Sequence, residues 1–259
     1  MENEKTNRKE FFLGLVLLPV FMGMFFYVLG VFHPTTIKFP RIIDIYIDFF
    51  KSFTDKSVLN AILNTLLYVI GSTLISIAIG VLLSFLLNLN KWVWASVEPT
   101  IDFLRSIPIT FFIPAFAIIL GVSSPIIIGV LAIIPSTLII LINVSYGLTQ
   151  QNKERLHHYK LLSGKTSRFS LFFKVTFYEI LPFFVSGFKI ALSYTIVIVT
   201  VLEYMKMGNR MGLGELVSDE MENLNYERVY SIIMIVGSIG YILNNTINLT
   251  FKKHISNER

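Results

Sequence analysis

From Ser106 to Asn152 the chain runs for 47 residues without a charged side chain. A lipid bilayer accommodates such a stretch, because a hydrocarbon core about 30 Å thick is crossed by roughly 20 residues of helix rising 1.5 Å each. Forty-seven residues are too many for one crossing, and Gly121–Pro125 (GVSSP) supplies a turn that divides them. The expected spans are 100–121 and 125–147.

Four further runs have the same character. Phe11–Phe32 follows Lys5, Arg8 and Lys9, and no small-x-small cleavage pattern comes after it, so a retained span over 11–32 is expected. Ser57–Asn90 is long enough for one tilted helix, 58–89, and too short for two with a turn. Ile180–Leu202, interrupted only by Lys189, gives 180–203, and Val229–Phe251 gives 229–251. The fold class is therefore all-α: a polytopic membrane protein of six transmembrane helices, with a short N-terminal segment 1–10 and a tail 252–259. At 54% hydrophobic and 15% charged residues, composition excludes an ordinary soluble domain. The absence of cysteine excludes disulfides, thiolate metal sites and cysteine nucleophiles.

The net charge of +5 concerns topology rather than nucleic acid. Thirteen Lys and Arg fall on the N-terminal side of the spans and seven on the other, with Arg105 and Lys189 inside apolar runs. The excess puts both termini in the cytoplasm. Outside the spans, 40–53 and 212–224 carry apolar side chains at helical spacing and are expected as short amphipathic helices on the outer surface. The loop 150–179 is the largest cytoplasmic surface and holds six of the thirteen inner cations.

Little in the chain supports catalysis. Gly164-Lys165-Thr166 resembles the end of a phosphate-binding loop, but Tyr159 stands where the loop needs glycine. His157 and His158 are adjacent, point in different directions on a helix and lack a third ligand nearby. The Asn-x-Ser/Thr strings at Asn143, Asn244 and Asn248 lie in apolar spans, and Ser163 has no base partner in view. The expectation is a protein that is not an enzyme and holds no metal or cofactor. Charges within the bilayer are more informative, since each costs about 2.5 to 3.5 kcal/mol at a helix centre. Arg105 follows Asp102 by one turn, Lys189 lies about 10 Å into its helix, and Glu203 marks the outer end of the same helix. For Arg105 the readings are a snorkelling side chain with Asp102 as local partner, or a pathway or interhelix role; for Lys189 an interhelix bond, or a cation lining a cavity; for Glu203 an interface cap with no function, or a gate or pathway role. Pro108, Pro114 and Pro135 fall within spans, where each is expected to kink its helix.

Leu104–Phe116 (LRSIPITFFIPAF), Ser186–Met205 (SGFKIALSYTIVIVTVLEYM) and Gly208–Val217 (GNRMGLGELV) resemble, in order and spacing, the permease subunits of ATP-binding-cassette importers of the nitrate/sulfonate/taurine class. The resemblance extends over about Lys38–Lys253. It implies the type I ABC importer permease (MetI-like) fold and alternating access to a small solute. The implied partners are cytoplasmic ABC ATPase subunits carrying ATP and magnesium, a second permease subunit (self or related), an extracytoplasmic solute-binding protein or lipoprotein, and membrane lipid. The implied location is the bacterial inner membrane. The family's cytoplasmic docking loop has Glu-Ala-Ala, a glycine four residues on, and Leu-Pro opening the next helix. Here Gly164 fits the glycine and Leu181-Pro182 the Leu-Pro, while His158-Tyr159-Lys160 occupy the Glu-Ala-Ala place. Coupling to the ATPase is accordingly expected through Leu156, His158, Tyr159, Lys160, Gly164, Lys165 and Arg168. The pathway is expected at Arg105, Lys189 and Glu203, and an outer gate at Gly212, Leu213 and Gly214. A secondary transporter or channel without an ATPase, and a membrane scaffold without transport, are the alternatives.

Overall fold

Apolar runs of this length fold as helices because only a helix satisfies every backbone N–H and C=O within its own segment. A computed structural model of the protein describes residues 40–150 and 175–256, together with seven helical positions between 17 and 28. The regular elements described are helical throughout: α1 (Ile42–Ser52), α2 (Lys56–Asn88), α3 (Lys91–Ser106), a 3-10 turn (Ile109–Phe111), α4 (Ile113–Leu120), α5 (Ile127–Thr149), α6 (Phe177–Tyr204), α7 (Leu213–Glu222) and α8 (Tyr226–Ser256). Among the described residues, α2, α5, α6 and the Tyr226–Phe251 part of α8 are long and apolar enough to cross a bilayer.

The segment expected as one continuous helix over 100–121 is broken. It begins earlier, at Lys91, where the side chain of Asn90 accepts the N–H of Trp92 as an N-cap. It stops at Ser106, because the ring of Pro108 disfavours helical backbone at Ile107, which is extended at φ −80° and ψ 120°. The chain re-enters helix through the 3-10 turn, and Pro114 sits in the first turn of α4, where a missing N–H costs nothing. Of the three prolines expected to kink spans, Pro108 ends a helix, Pro114 starts one, and Pro135 alone lies inside one.

Two units make up the chain, residues 1–67 with 199–246 and residues 68–198 with 247–259. The second unit is organised by a polar ladder. Tyr68, Ser72, Ser76, Ser84 and Asn88 recur on one face of α2 at multiples of four residues. They donate to Pro125 O (3.1 Å), Gly129 O (3.5 Å), Ile133 O (3.2 Å), Leu141 O (3.0 Å) and Ser145 Oγ (2.9 Å). Every pair is separated by 57 residues, so α2 and α5 run in the same direction in fixed register. Residues 89–126 must therefore return the chain to its starting level. α3 and α4 supply about 24 Å and 12 Å of helix for that return despite the break between them.

Gly80 stands at a close approach of the two helices within the ladder. A Cβ there would lie 3.0 Å from the Ile140 side chain and the Thr137 carbonyl. Small residues that let backbones approach are the usual basis of helix pairing in lipid. Gly80→Leu is expected to cost about 1–3 kcal/mol and to lower the midpoint of thermal unfolding in detergent; an unchanged midpoint would refute the close packing. Helix α6 packs antiparallel on α5, with Ser136 and Thr195 hydroxyls 2.7 Å apart and Gly147 and Gly187 receiving Phe183 and Asn143. Ile140, Val144, Ile180 and Ala191 form the core between them.

In the first unit α7 wedges its apolar face against α2 and α8. Leu213 and Leu216 join Val58, Ala61, Ile232 and Ile235 in a buried cluster, with Phe49 of α1 packed on it. Ser52 and Ser231, both fully buried, share a hydrogen bond of 3.2 Å that ties the end of α1 to α8.

Candidate functional site

Helix α6 ends just after Glu203. Lys206 turns through a left-handed conformation (φ 56°), its N–H bonding Glu203 O at 2.8 Å, and Met207 N–H bonds Leu202 O at 3.1 Å. A short return brings the chain back to α7, whose N-cap, Gly212, has no side chain with which to satisfy the first helical N–H groups. Those groups are satisfied by other helices. Leu213 N–H donates to Thr65 Oγ1 (2.9 Å) and Gly214 N–H to Glu203 Oε2 (3.1 Å). The Thr65 hydroxyl in turn donates to the Glu203 carboxylate, 2.8 and 2.9 Å from its two oxygens. Asn64 Nδ2 adds a bond to Met211 O at 2.9 Å.

This is an N-cap supplied in trans. A carboxylate at the positive end of a helix is electrostatically favourable, and the more so away from water. Glu203 and Leu213 have no solvent exposure, and Thr65 is almost fully buried. The glycines are what make the approach possible. A Cβ on Gly212 would overlap the Glu203 carboxylate, and one on Gly214 would overlap Thr200 O and lie 2.7 Å from Tyr204 N. Beside the cap an apolar cavity of about 420 Å³ is lined by Tyr204, Leu213, Gly214, Val217, Ile233 and Val236, among others.

The far end of α7 is fastened by ion pairs. Lys206 Nζ lies 2.8 Å from Glu222 and 2.9 Å from Asp219, and these carboxylates hold its ammonium above the usual lysine range. Arg228, at the start of α8, bonds Asp55 and approaches Glu220 (3.1 Å) and Asp48 (3.9 Å). The Arg228 bond, reinforced by the Ser57 hydroxyl and N–H, pulls the Asp55 carboxyl down to about 2. Burial, with the charge of Asp219, pushes Glu215 up.

The structure thus brings Glu203 together with Gly212, Leu213 and Gly214. Arg105 and Lys189 belong to the second unit. Arg105 is half exposed and paired with Asp102 at 3.2 Å, and Lys189 is half-buried on α6. Leu156, His158, Tyr159, Lys160, Gly164, Lys165 and Arg168 lie outside the described residues. Sequence reading missed Thr65 and Asn64, which are 138 and 147 residues from the groups they bind. Their one local signal is polarity within an apolar run.

Comparison with known proteins accords with this architecture. Residues 76–257 match the family model of the binding-protein-dependent transport system inner membrane component. The nitrate import permease protein NrtB of Leptolyngbya laminosa is 24% identical over 221 residues, covering 83% of this chain and 76% of that protein. A structure of the inward-facing MetNI methionine ABC transporter superposes with a TM-score of 0.60 at 18% identity, over 77% of this chain and 94% of that one, and shows the same fold. The chain belongs to the family of binding-protein-dependent transport system inner membrane components, the permease subunits of ABC importers.

Proposed function

We propose that this permease moves a small solute, with nitrate-class oxyanions the first to test, from an external binding protein to the cytoplasm by alternating access. The likeness to a nitrate import permease over 83% of the chain is the observation that carries the substrate class. The positive-inside asymmetry supports an inner-membrane topology with both termini in the cytoplasm, which puts α1 and α7 outside. The ATPase, with its ATP and magnesium, is a separate cytoplasmic subunit, and a second permease subunit completes the pathway. The basic connector between α5 and α6 docks on the ATPase through Leu156, His158, Tyr159, Lys160, Gly164, Lys165 and Arg168. Its rigid-body movement transmits closure of the motor to the helices. Arg105 and Lys189 offer cations to an anionic solute, while Glu203 acts from its buried seat.

The test pairs purification with transport. The chain should bring down an ATPase subunit from its native membranes. Gly164→Trp should keep that assembly and its ATP hydrolysis while uptake of isotopically labelled nitrate drops at least tenfold, about 1.4 kcal/mol of lost coupling. Retained uptake in that variant rejects the lever, and absence of an ATPase from the purified assembly rejects the importer partnership.

A further inference from the structure

We propose that Glu203 and Thr65 are positioning residues that latch α7 in a closed seat, and that solute passage requires this latch to release. The inference rests on the importer reading above and adds the element that moves and the bonds that hold it. Three observations carry it. First, the N-terminus of α7 has no cap of its own and depends on groups from α2 and α6, so the helix cannot lift without exchanging those partners. Second, the exchange is possible because the partners are polar. Seated, the carboxylate is served by a hydroxyl and an amide, with no Lys or Arg within ion-pair distance among the described residues. Lifted, water serves it equally well, whereas an unpartnered buried carboxylate would not be tolerated. Third, the two ends of α7 are held differently. The Thr65–Glu203 end is dry, whereas Lys206, 41% exposed, ties the other end through ion pairs open to water. That combination makes the capped end the part that opens and the ion-paired end the hinge. The apolar contacts of Leu213 and Leu216 supply the bias toward closure.

The chain's lack of cysteine makes the test direct, since one introduced thiol is the only thiol in the subunit. Ser218→Cys reports on α7, because Ser218 is 9% exposed in the seated helix, and Asn223→Cys is the exposed control. Whole cells carrying the full chain are treated with a membrane-impermeant maleimide, with and without an energy supply. The control should label at one rate in both conditions. The Ser218→Cys thiol should label slowly in depleted cells and faster in energised ones. Adding Glu203→Ala should raise its depleted-cell rate at least about tenfold and abolish the energy dependence, because the buried acceptor of the Thr65 hydroxyl and the Gly214 N–H is lost. Glu203→Gln, whose carbonyl still accepts from Gly214 N–H, should restore an intermediate rate. Thr65→Val should act as Glu203→Ala does, and it covers the case in which the alanine variant fails to accumulate. A Ser218→Cys rate that ignores both energy and Glu203 overturns the latch. If the control labels only in inverted membranes, the assigned sidedness fails, while the latch is still read there from the Ser218→Cys rates.

Discussion

Gly214→Ala, a single added methyl group, is expected to unseat α7 and destabilise the protein by more than about 3 kcal/mol, beyond ordinary overpacking. The reason is what the methyl would meet. Its nearest neighbours are the Thr200 carbonyl and the Tyr204 amide, both backbone atoms of α6, and Glu203 Cβ at 2.8 Å, none of which can swing aside. The helix must then shift away from α6 and give up the Gly214–Glu203 and Leu213–Thr65 bonds together. Uptake should be lost and the 207–224 segment should become susceptible to limited proteolysis. Gly71→Ala is the matched control. Gly71 lies within α2 with nothing within 4 Å of its added Cβ, so this change should be neutral or stabilise by up to about 1 kcal/mol through helix propensity. If both variants melted alike, the tight approach of α7 to α6 would be wrong.

Removing the Arg228 guanidinium should also destabilise the protein. Arg228→Met leaves Asp48, Asp55 and Glu220 facing one another without their shared cation. The guanidinium is only 18% exposed, so screening by salt recovers little. The expected cost is about 1–3 kcal/mol near neutral pH, below the value for a fully buried pair because the carboxylates retain some water. The pH dependence gives a sharper signature. Asp55 is depressed from 3.8 to about 2, so its contribution is fully present above the unfolded value and is lost as pH falls from about 4 toward 2. The parent protein should lose stability across that window, and Arg228→Met should lose less, since Ser57 alone remains to hold the carboxylate. Thermal melts of both proteins between pH 2 and 7 measure the difference. Parallel curves would show that the guanidinium is not what holds Asp55 down.

The membrane character and helical class were legible because they follow from runs of uncharged residues, a property that needs no knowledge of tertiary contacts. The two short helices were legible for a related reason: their apolar positions recur at helical spacing between polar ones, as at Leu213, Leu216 and Val217. The break after Ser106 was misread as a kink. The prolines were visible, but whether Pro108 bends a helix or ends it depends on the conformation Ile107 adopts. Glu203 and the Gly212–Gly214 turn were each singled out, yet assigned to different tasks. Gly214 bonds Glu203 directly, but the link from Leu213 to Glu203 runs through the Thr65 hydroxyl, 138 residues before Glu203. No local pattern reports a partner at that distance. The ladder from Tyr68 to Asn88 was in plain sight as a four-residue repeat, but its meaning appeared only when four carbonyls and the Ser145 hydroxyl matched it rung by rung.

That matched repeat sets rules for how the gene can change in length. A residue inserted between 89 and 124 would lengthen every rung's separation from 57 to 58 and leave the pairing intact, because neither helix is turned. The same insertion in the middle of α2 would rotate everything beyond it by about 100° and carry Ser84 and Asn88 off the shared face while Tyr68 and Ser72 stayed on it. Deletions and duplications in homologous genes should therefore collect in the stretch after Asn88 and be purged from the two helices themselves.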